Sequence, residues 1–270
     1  MSNLCNSSGV VATDTTGVGT ARRALAAATY GTDKAIFAYG NTGSVSSLSN
    51  LVSNSGVVAT DTTGVGTARD YLAAAGYGST GQAIFGYGDI APPLVSTTNL
   101  VSNSGVVATD TTGVGTARSQ LAAAKYGGDK AIFGYGHTPD TAVTNLVSNT
   151  GVVATDTAGV GSARRLLAAA TYGTDKALFG YGYTSGDVSI TNLVSNTGVV
   201  AADVTGVGTA RRELTATGYG GDKAIFGYGN TGSSLSMTNL VSNSGVVGSD
   251  VSGVGTARKD LAAAGYSLSA

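Results

Sequence analysis

The sequence predicts an all-β fold in which copies of one small antiparallel sheet cover one another, and three observations predict it. First, one string recurs: N-L-V-S-N begins at Asn50, Asn99, Asn145, Asn192 and Asn239, with the variant N-L-C-N-S at Asn3, so successive copies start 47, 49, 46, 47 and 47 residues apart. Second, the apolar blocks in each copy are five to seven residues long, β-branched, aromatic or alanine-rich, and bounded by Gly, Asn or Asp, a pattern of short strands. Third, one four-stranded sheet cannot bury both of its faces, so the copies must pack on each other. Radial packing gives a β-propeller, whose blades have a period of about 40–50 residues. The reading is a single domain over residues 1–270, with six units starting near residues 3, 50, 99, 145, 192 and 239.

Each unit is expected to supply four strands, at N-L-V-S-N, G-V-V-A-T, L-A-A-A-x-Y and K-A-I-F-G-Y-G. The alanine-rich strand suits the crowded innermost position, where large side chains would collide. Its triplets are Ala26–Ala28, Ala73–Ala75, Ala122–Ala124, Ala168–Ala170 and Ala262–Ala264, replaced in the fifth unit by Thr215, Ala216 and Thr217. Aromatic bulk follows on the next strand outward, at Phe37, Phe85, Phe133, Phe179 and Phe226, where it can fill the space between blades.

The termini complicate the count. The chain starts with the last two strands of a blade (residues 3–13) and ends after an alanine strand (Leu261–Tyr266), so the sixth unit lacks a K-A-I-F-G-Y-G strand. The favoured expectation is a self-closed six-bladed ring whose last blade is three-stranded, the C-terminal strand pairing directly with the N-terminal segment. The alternative is a strand donated by a second chain, because an open edge is a template for pairing.

Composition removes several functions. Charged residues make up 11% of the chain and the net charge is −1, which leaves no footprint for nucleic acid or an anionic membrane. No apolar run approaches the ~18 residues of a membrane span, and the start M-S-N-L-C-N-S-S-G carries no secretory signal. With one Cys and one His, neither an internal disulfide nor a site needing two histidines is available.

The order T-A-R, an alanine-rich strand, a tight turn, and an aliphatic–aromatic strand ending in glycines resembles the kelch repeat over essentially the whole chain. It departs from that pattern where F-G-Y-G replaces the double glycine and Val-Val stands in place of the kelch Trp. Copies this similar and this rich in Gly and Ala are also similar to kelch-like proteins of marine bacteriophages. The resemblance implies a kelch-like propeller and a place on a virion; without a phage origin, the absent signal peptide implies a soluble protein.

Every unit carries an Asp followed eight residues later by an Arg: Asp14 and Arg22, Asp61 and Arg69, Asp110 and Arg118, Asp156 and Arg164, Asp203 and Arg211, Asp250 and Arg258. A catalytic group would occur once, so sixfold repetition points to a structural brace across the G-V-G crossover. A ring of arginines binding anions near the axis is the rival reading. The Asp-Lys pairs, as at Asp33–Lys34, are replaced by Gly81–Gln82 in the second unit and read as turn residues. His137 reads as a solvated loop residue, and Cys5 occupies a position held elsewhere by Val. G-V-G-T-A-R precedes a strand and lacks the Walker lysine, so it is no phosphate loop. No enzyme and no cofactor are expected.

Variation between copies concentrates in two places, the loop after K-A-I-F-G-Y-G and the pair after each Arg, and strand alternation puts both on one face. The candidate contact face comprises Tyr71, Gln120, Glu213, Asp89, Ile90, His137, Asp140, Tyr183 and Asp187, since loops on a rigid scaffold diversify where recognition occurs. The expected function is a non-enzymatic interaction module, a phage virion or tail component contacting other virion proteins or a host surface receptor or glycan. The alternative is a multivalent lectin-like binder.

Overall fold

The computed structural model describes residues 1–266. It is all-β, with fifteen strands in five antiparallel three-stranded sheets. The first sheet is β1 (Ala26–Tyr30), β2 (Lys34–Ala38) and β3 (Ser49–Val52). The second is β4 (Ala73–Tyr77), β5 (Gln82–Gly86) and β6 (Thr98–Val101), and the third β7 (Ala122–Tyr126), β8 (Lys130–Gly134) and β9 (Thr144–Val147). The fourth is β10 (Ala168–Tyr172), β11 (Lys176–Tyr183) and β12 (Asp187–Val194), and the fifth β13 (Thr215–Tyr219), β14 (Lys223–Asn230) and β15 (Ser234–Val241).

One register holds throughout. Ala27 faces Phe37, which faces Asn50, and the same rung reads Ala74–Phe85–Asn99 in the second sheet and Ala123–Phe133–Asn145 in the third. The alanine strand forms one edge of each sheet, and the alanine edges of consecutive sheets touch: β1 meets β4, β4 meets β7, β7 meets β10, and β10 meets β13. Alternate alanines such as Ala26 and Ala28 are buried in that contact, which a larger side chain would force apart.

The expected fourth strand is not a strand. G-V-V-A-T meets its neighbour only through isolated bridges, Val52 to Val58 and Ser49 to Thr62 beside the first sheet. Between the bridges the outer segment carries one residue more than its partner, a bulge that breaks the ladder. The Asn50 amide spans the break, donating to Ala59 O at 3.0 Å and to Asp61 Oδ1 at 2.9 Å. The outer edge is therefore kinked, which blunts edge-to-edge pairing.

Sheets join through the strand carrying Phe. Tyr39, Tyr87, Tyr135, Tyr181 and Tyr228 follow it with φ of 61–65°, a left-handed conformation costly for a bulky residue. Each tyrosine repays the strain across the joint. Tyr87 is buried, its hydroxyl donates to Val114 O at 3.1 Å, and its ring meets Phe133 edge-on at 5.1 Å. The core is accordingly shared between neighbours, each cluster combining a Tyr of one sheet with the Phe of the next.

The expectation for the termini is corrected in one respect. Leu261–Tyr266 lies between β13 and β1, with Gly265 O accepting from Thr29 Oγ1 at 2.9 Å. It forms no strand, however, and among the described residues no backbone hydrogen bond joins it to the N-terminal segment. Direct pairing fails because the two segments stand a strand's width too far apart. Leu4 and Tyr266 both flank Gly56, as Leu51 and Tyr30 flank Gly105, and in the complete unit β2 lies between that Leu and that Tyr.

Candidate interaction surface

The sequence pairs each Asp with the Arg eight residues later, and this is corrected. Arg22 meets Asp61 (Nη1–Oδ1 3.5 Å), Arg164 meets Asp203 (4.0 Å) and Arg258 meets Asp14 (3.3 Å), so each Arg faces the Asp of the following copy. The reason is topological: an Arg enters the alanine strand of a sheet whose outer segment carries the next Asp. Asp and Arg eight apart lie at opposite ends of a crossover between sheets.

Around each Arg the sequence motif closes into a four-residue set. Arg69 has no exposed surface; its Nε donates to Tyr87 O at 2.8 Å, Nη1 to Thr67 O at 3.0 Å, and Nη2 to Asn99 Oδ1 at 2.6 Å. Its guanidinium lies 4.3 Å from the centroid of the Tyr39 ring of the preceding sheet. The carboxylate is held by Thr67, whose backbone N–H and hydroxyl both donate to Asp110, and by Asn99. Arg118, Arg164 and Arg211 repeat the arrangement with Asp156, Asp203 and Asp250 close by. The Asn of N-L-V-S-N and the Thr of T-A-R are members that sequence reasoning missed; their recurrence in register with Asp and Arg was the available signal. With every Arg nitrogen engaged and no surface exposed, the four central arginines offer no site for an anion, which removes the rival reading for them.

The variable residues come together at the N-terminal end of the alanine strands, directly after each Arg. The first residue after each Arg bridges the first residue of the variable loop: Arg23 to Asn41, Asp70 to Asp89, Ser119 to His137, Arg165 to Tyr183 and Arg212 to Asn230. The second residue enters a closed cycle of backbone hydrogen bonds. Tyr71 N donates to Ala24 O, Gln120 N to Tyr71 O, Leu166 N to Gln120 O, Glu213 N to Leu166 O, Asp260 N to Glu213 O, and Ala24 N to Asp260 O, at 2.8–3.1 Å. All six residues have φ of 48–57°, yet none is glycine. Because the cycle uses only backbone atoms, it accepts any side chain, which explains why this position varies.

The cycle surrounds a cavity of about 100 Å3 whose rim carries Tyr71, Gln120, Glu213 and Asp260. Gln120 Oε1 is buried there without a hydrogen-bond partner. Burial pushes the Tyr71 hydroxyl up to about 12, with the charges of Asp260, Glu213 and Asp70 adding to the rise. Burial likewise lifts the Asp260 carboxyl to about 6, helped by Glu213.

Ion pairs continue outward from this rim. Lys259 Nζ sits 2.9 Å from Glu213 Oε2, and Arg212 Nη1 donates to Asp187 Oδ1 at 2.7 Å. Arg165 Nη1 donates to Asp140 Oδ1 at 2.7 Å, and His137 Nδ1 lies 2.8 Å from the same oxygen. Both Arg165 and Arg212 approach the Tyr183 ring at 5.0 Å. Asp89 and Ile90 stand in the tightly turned second-unit loop, where Ala91 N donates to Asp89 Oδ1. Among the described residues no three His, Cys, Asp or Glu side chains converge as a metal site would require. No protein-family model matches the chain, and no curated protein matches it.

Proposed function

We infer that the chain is a non-enzymatic interaction module, a six-bladed kelch-like β-propeller that presents its variable loops to a partner. The ring reading draws its support from the hydrogen-bond cycle, which passes through six units and returns to its start across the termini. It gains further support from Arg258, which contacts Asn3 and Asp14 as Arg164 does Asn192 and Asp203.

The observation that carries the functional reading is the meeting of variable residues from five units at one end of the sheets, over a scaffold that otherwise repeats. A rigid base with divergent loops is how a fold separates stability from recognition. The kelch-like resemblance to marine-phage proteins is the support for the partner class, another virion protein or the host cell surface.

The test is co-sedimentation of the labelled chain with purified marine-phage particles and with intact host bacteria. Exchanging residues 89–98 and 137–144 for the Asn230–Thr238 loop should abolish co-sedimentation while leaving the thermal midpoint within a few degrees. Equal co-sedimentation of native and exchanged chains overturns the reading.

A further inference from the structure

Five units place a K-A-I-F-G-Y-G-type strand (Q-A-I-F-G-Y-G in the second) between an alanine strand and an N-L-V segment; in the sixth, the described residues supply the two flanks and no strand between them. The groups around that gap are those such a strand would satisfy. Arg69, Arg118, Arg164, Arg211 and Arg258 each stack on a Tyr of the preceding unit, whereas Arg22, which follows the gap, stacks on none among the described residues and its Nε is buried without a partner. Phe85, Phe133, Phe179 and Phe226 each meet a preceding Tyr and have no exposed surface; Phe37 has no such partner among the described residues and is half-buried. A Cβ on Gly134 or Gly180 would lie 2.6 Å from the next unit's Phe, but at Gly227 it would meet only Thr238, at 3.5 Å. β13, in the unit preceding the gap, is half-buried along its whole length where β1, β4, β7 and β10 alternate with fully buried residues.

We propose that the gap between Leu261–Tyr266 and Asn3–Cys5 is a strand-addition site for an extended partner segment of the pattern aliphatic–Phe–Gly–Tyr–Gly. The register follows from the other units: the incoming Phe lies between Ala263 and Asn3, its ring seated over Gly227 and against Tyr228. Its Tyr, two residues on, slides beneath the Arg22 guanidinium and meets Phe37 edge-on. Main-chain hydrogen bonds to both flanks supply affinity, and the two aromatic seats supply specificity. The proposal rests on the six-unit ring reading and adds a partner to it, distinct from the variable-loop surface.

The test uses the whole chain and a synthetic peptide Lys-Ala-Ile-Phe-Gly-Tyr-Gly-Asn, the sequence of β14, followed by calorimetry. Saturable one-to-one binding is expected, weakened at least tenfold when the peptide Phe is replaced by Ala. Gly227→Leu fills the open phenyl seat without crowding its own fold and should weaken binding at least tenfold; Arg22→Ala should do the same. Appending this segment after residue 270 through a flexible linker should raise the thermal midpoint by several degrees. No binding by the native chain, or equal binding by Gly227→Leu or by the Phe-less peptide, overturns the proposal. A Thr29→Cys, Gly265→Cys crosslink in a Cys5→Ser background separates the two readings. A crosslink without peptide binding defeats strand addition alone, and no crosslink defeats the ring and the site together. The loop-exchanged chain should bind the peptide as the native chain does, so failure of the loop-surface reading leaves this outcome unchanged.

Discussion

Arg118 Nη2 donates to Asn145 Oδ1 at 2.7 Å, and neither residue has any exposed surface. The Asn amide on the other side donates to Ala154 O and Asp156 Oδ1, so one side chain closes the outer bulge and receives the buried cation. Arg118→Ala strands three acceptors, Tyr135 O, Thr116 O and Asn145 Oδ1, and leaves a void beside Tyr87. A loss of about 3–5 kcal/mol is expected from urea unfolding. Arg22→Ala should cost less, about 1–2 kcal/mol, because Arg22 has neither a Tyr beneath it nor a partner for Nε. Equal losses would contradict the inequivalence of the two positions.

The contact between neighbouring sheets is set by glycine at one position. A Cβ on Gly134 would come within 2.6 Å of the Phe179 ring. The first unit already carries Ala38 there, and its Tyr39–Phe85 centroids are 5.4 Å apart against 5.1 Å for Tyr87–Phe133, so the ring retreats to admit a methyl. Gly134→Ala is therefore expected to cost only about 1 kcal/mol, the low end of overpacking. At Gly227 a Cβ would make only an ordinary contact with the Thr238 methyl at 3.5 Å, so Gly227→Ala should be neutral or stabilising by a few tenths of a kcal/mol. Denaturation midpoints that fall equally in both variants would show that no Phe seat stands open at Gly227.

What the sequence made legible was whatever repeated locally. Ala26–Ala28 and Phe37 announced an edge strand and its neighbour because strand patterns depend on adjacent residues. The Asp–Arg pairing was misassigned because Arg22 meets Asp61 across a whole sheet, and spacing along the chain carries no record of which copy a residue faces. G-V-V-A-T has the β-propensity of a strand but breaks at the bulge that Asn50 fills, a side-chain bond invisible to periodicity. The left-handed residues Tyr71 and Gln120 were picked out for their variability, while their role in the hydrogen-bond cycle had no signature, since backbone bonds ask nothing of the side chain.

Acid should unfold the protein through the same Asp set. Hydrogen bonds from Thr20 and Asn50 hold the Asp61 carboxyl at about 2, below its ordinary value of 3.8. The unfolded chain takes up the proton first as pH falls, so the stability contributed above pH 3.8 is lost on descent through about 2. Thr20→Val removes the hydroxyl donor and should move the acid midpoint, followed by circular dichroism, upward by a few tenths of a pH unit. Asn50→Ala should move it further, because the bulge loses its closure as well. Unchanged midpoints in both variants would show that the Asp61 set does not govern acid unfolding.

Asp260 should give a pH dependence of the opposite sign in a separate window. Burial and the Glu213 charge raise its carboxyl to about 6, against an ordinary 3.8, with Asp70 adding to the rise and Lys259 and Arg23 opposing it. Between those values the folded chain keeps a proton that the unfolded chain releases. The contribution is thus fully present below pH 3.8 and lost as pH rises through about 6. Partial exposure screens the effect to about 1 kcal/mol. Calorimetric unfolding at pH 5.0 should accordingly occur at a higher temperature than at pH 7.5. Asp260→Asn keeps the side-chain shape and the backbone bonds to Glu213 and Ala24 while removing the charge. It should raise the midpoint at pH 7.5 by a few degrees and flatten the difference between the two pH values, whereas parallel profiles would mean that Asp260 is ionised and well solvated in the folded chain.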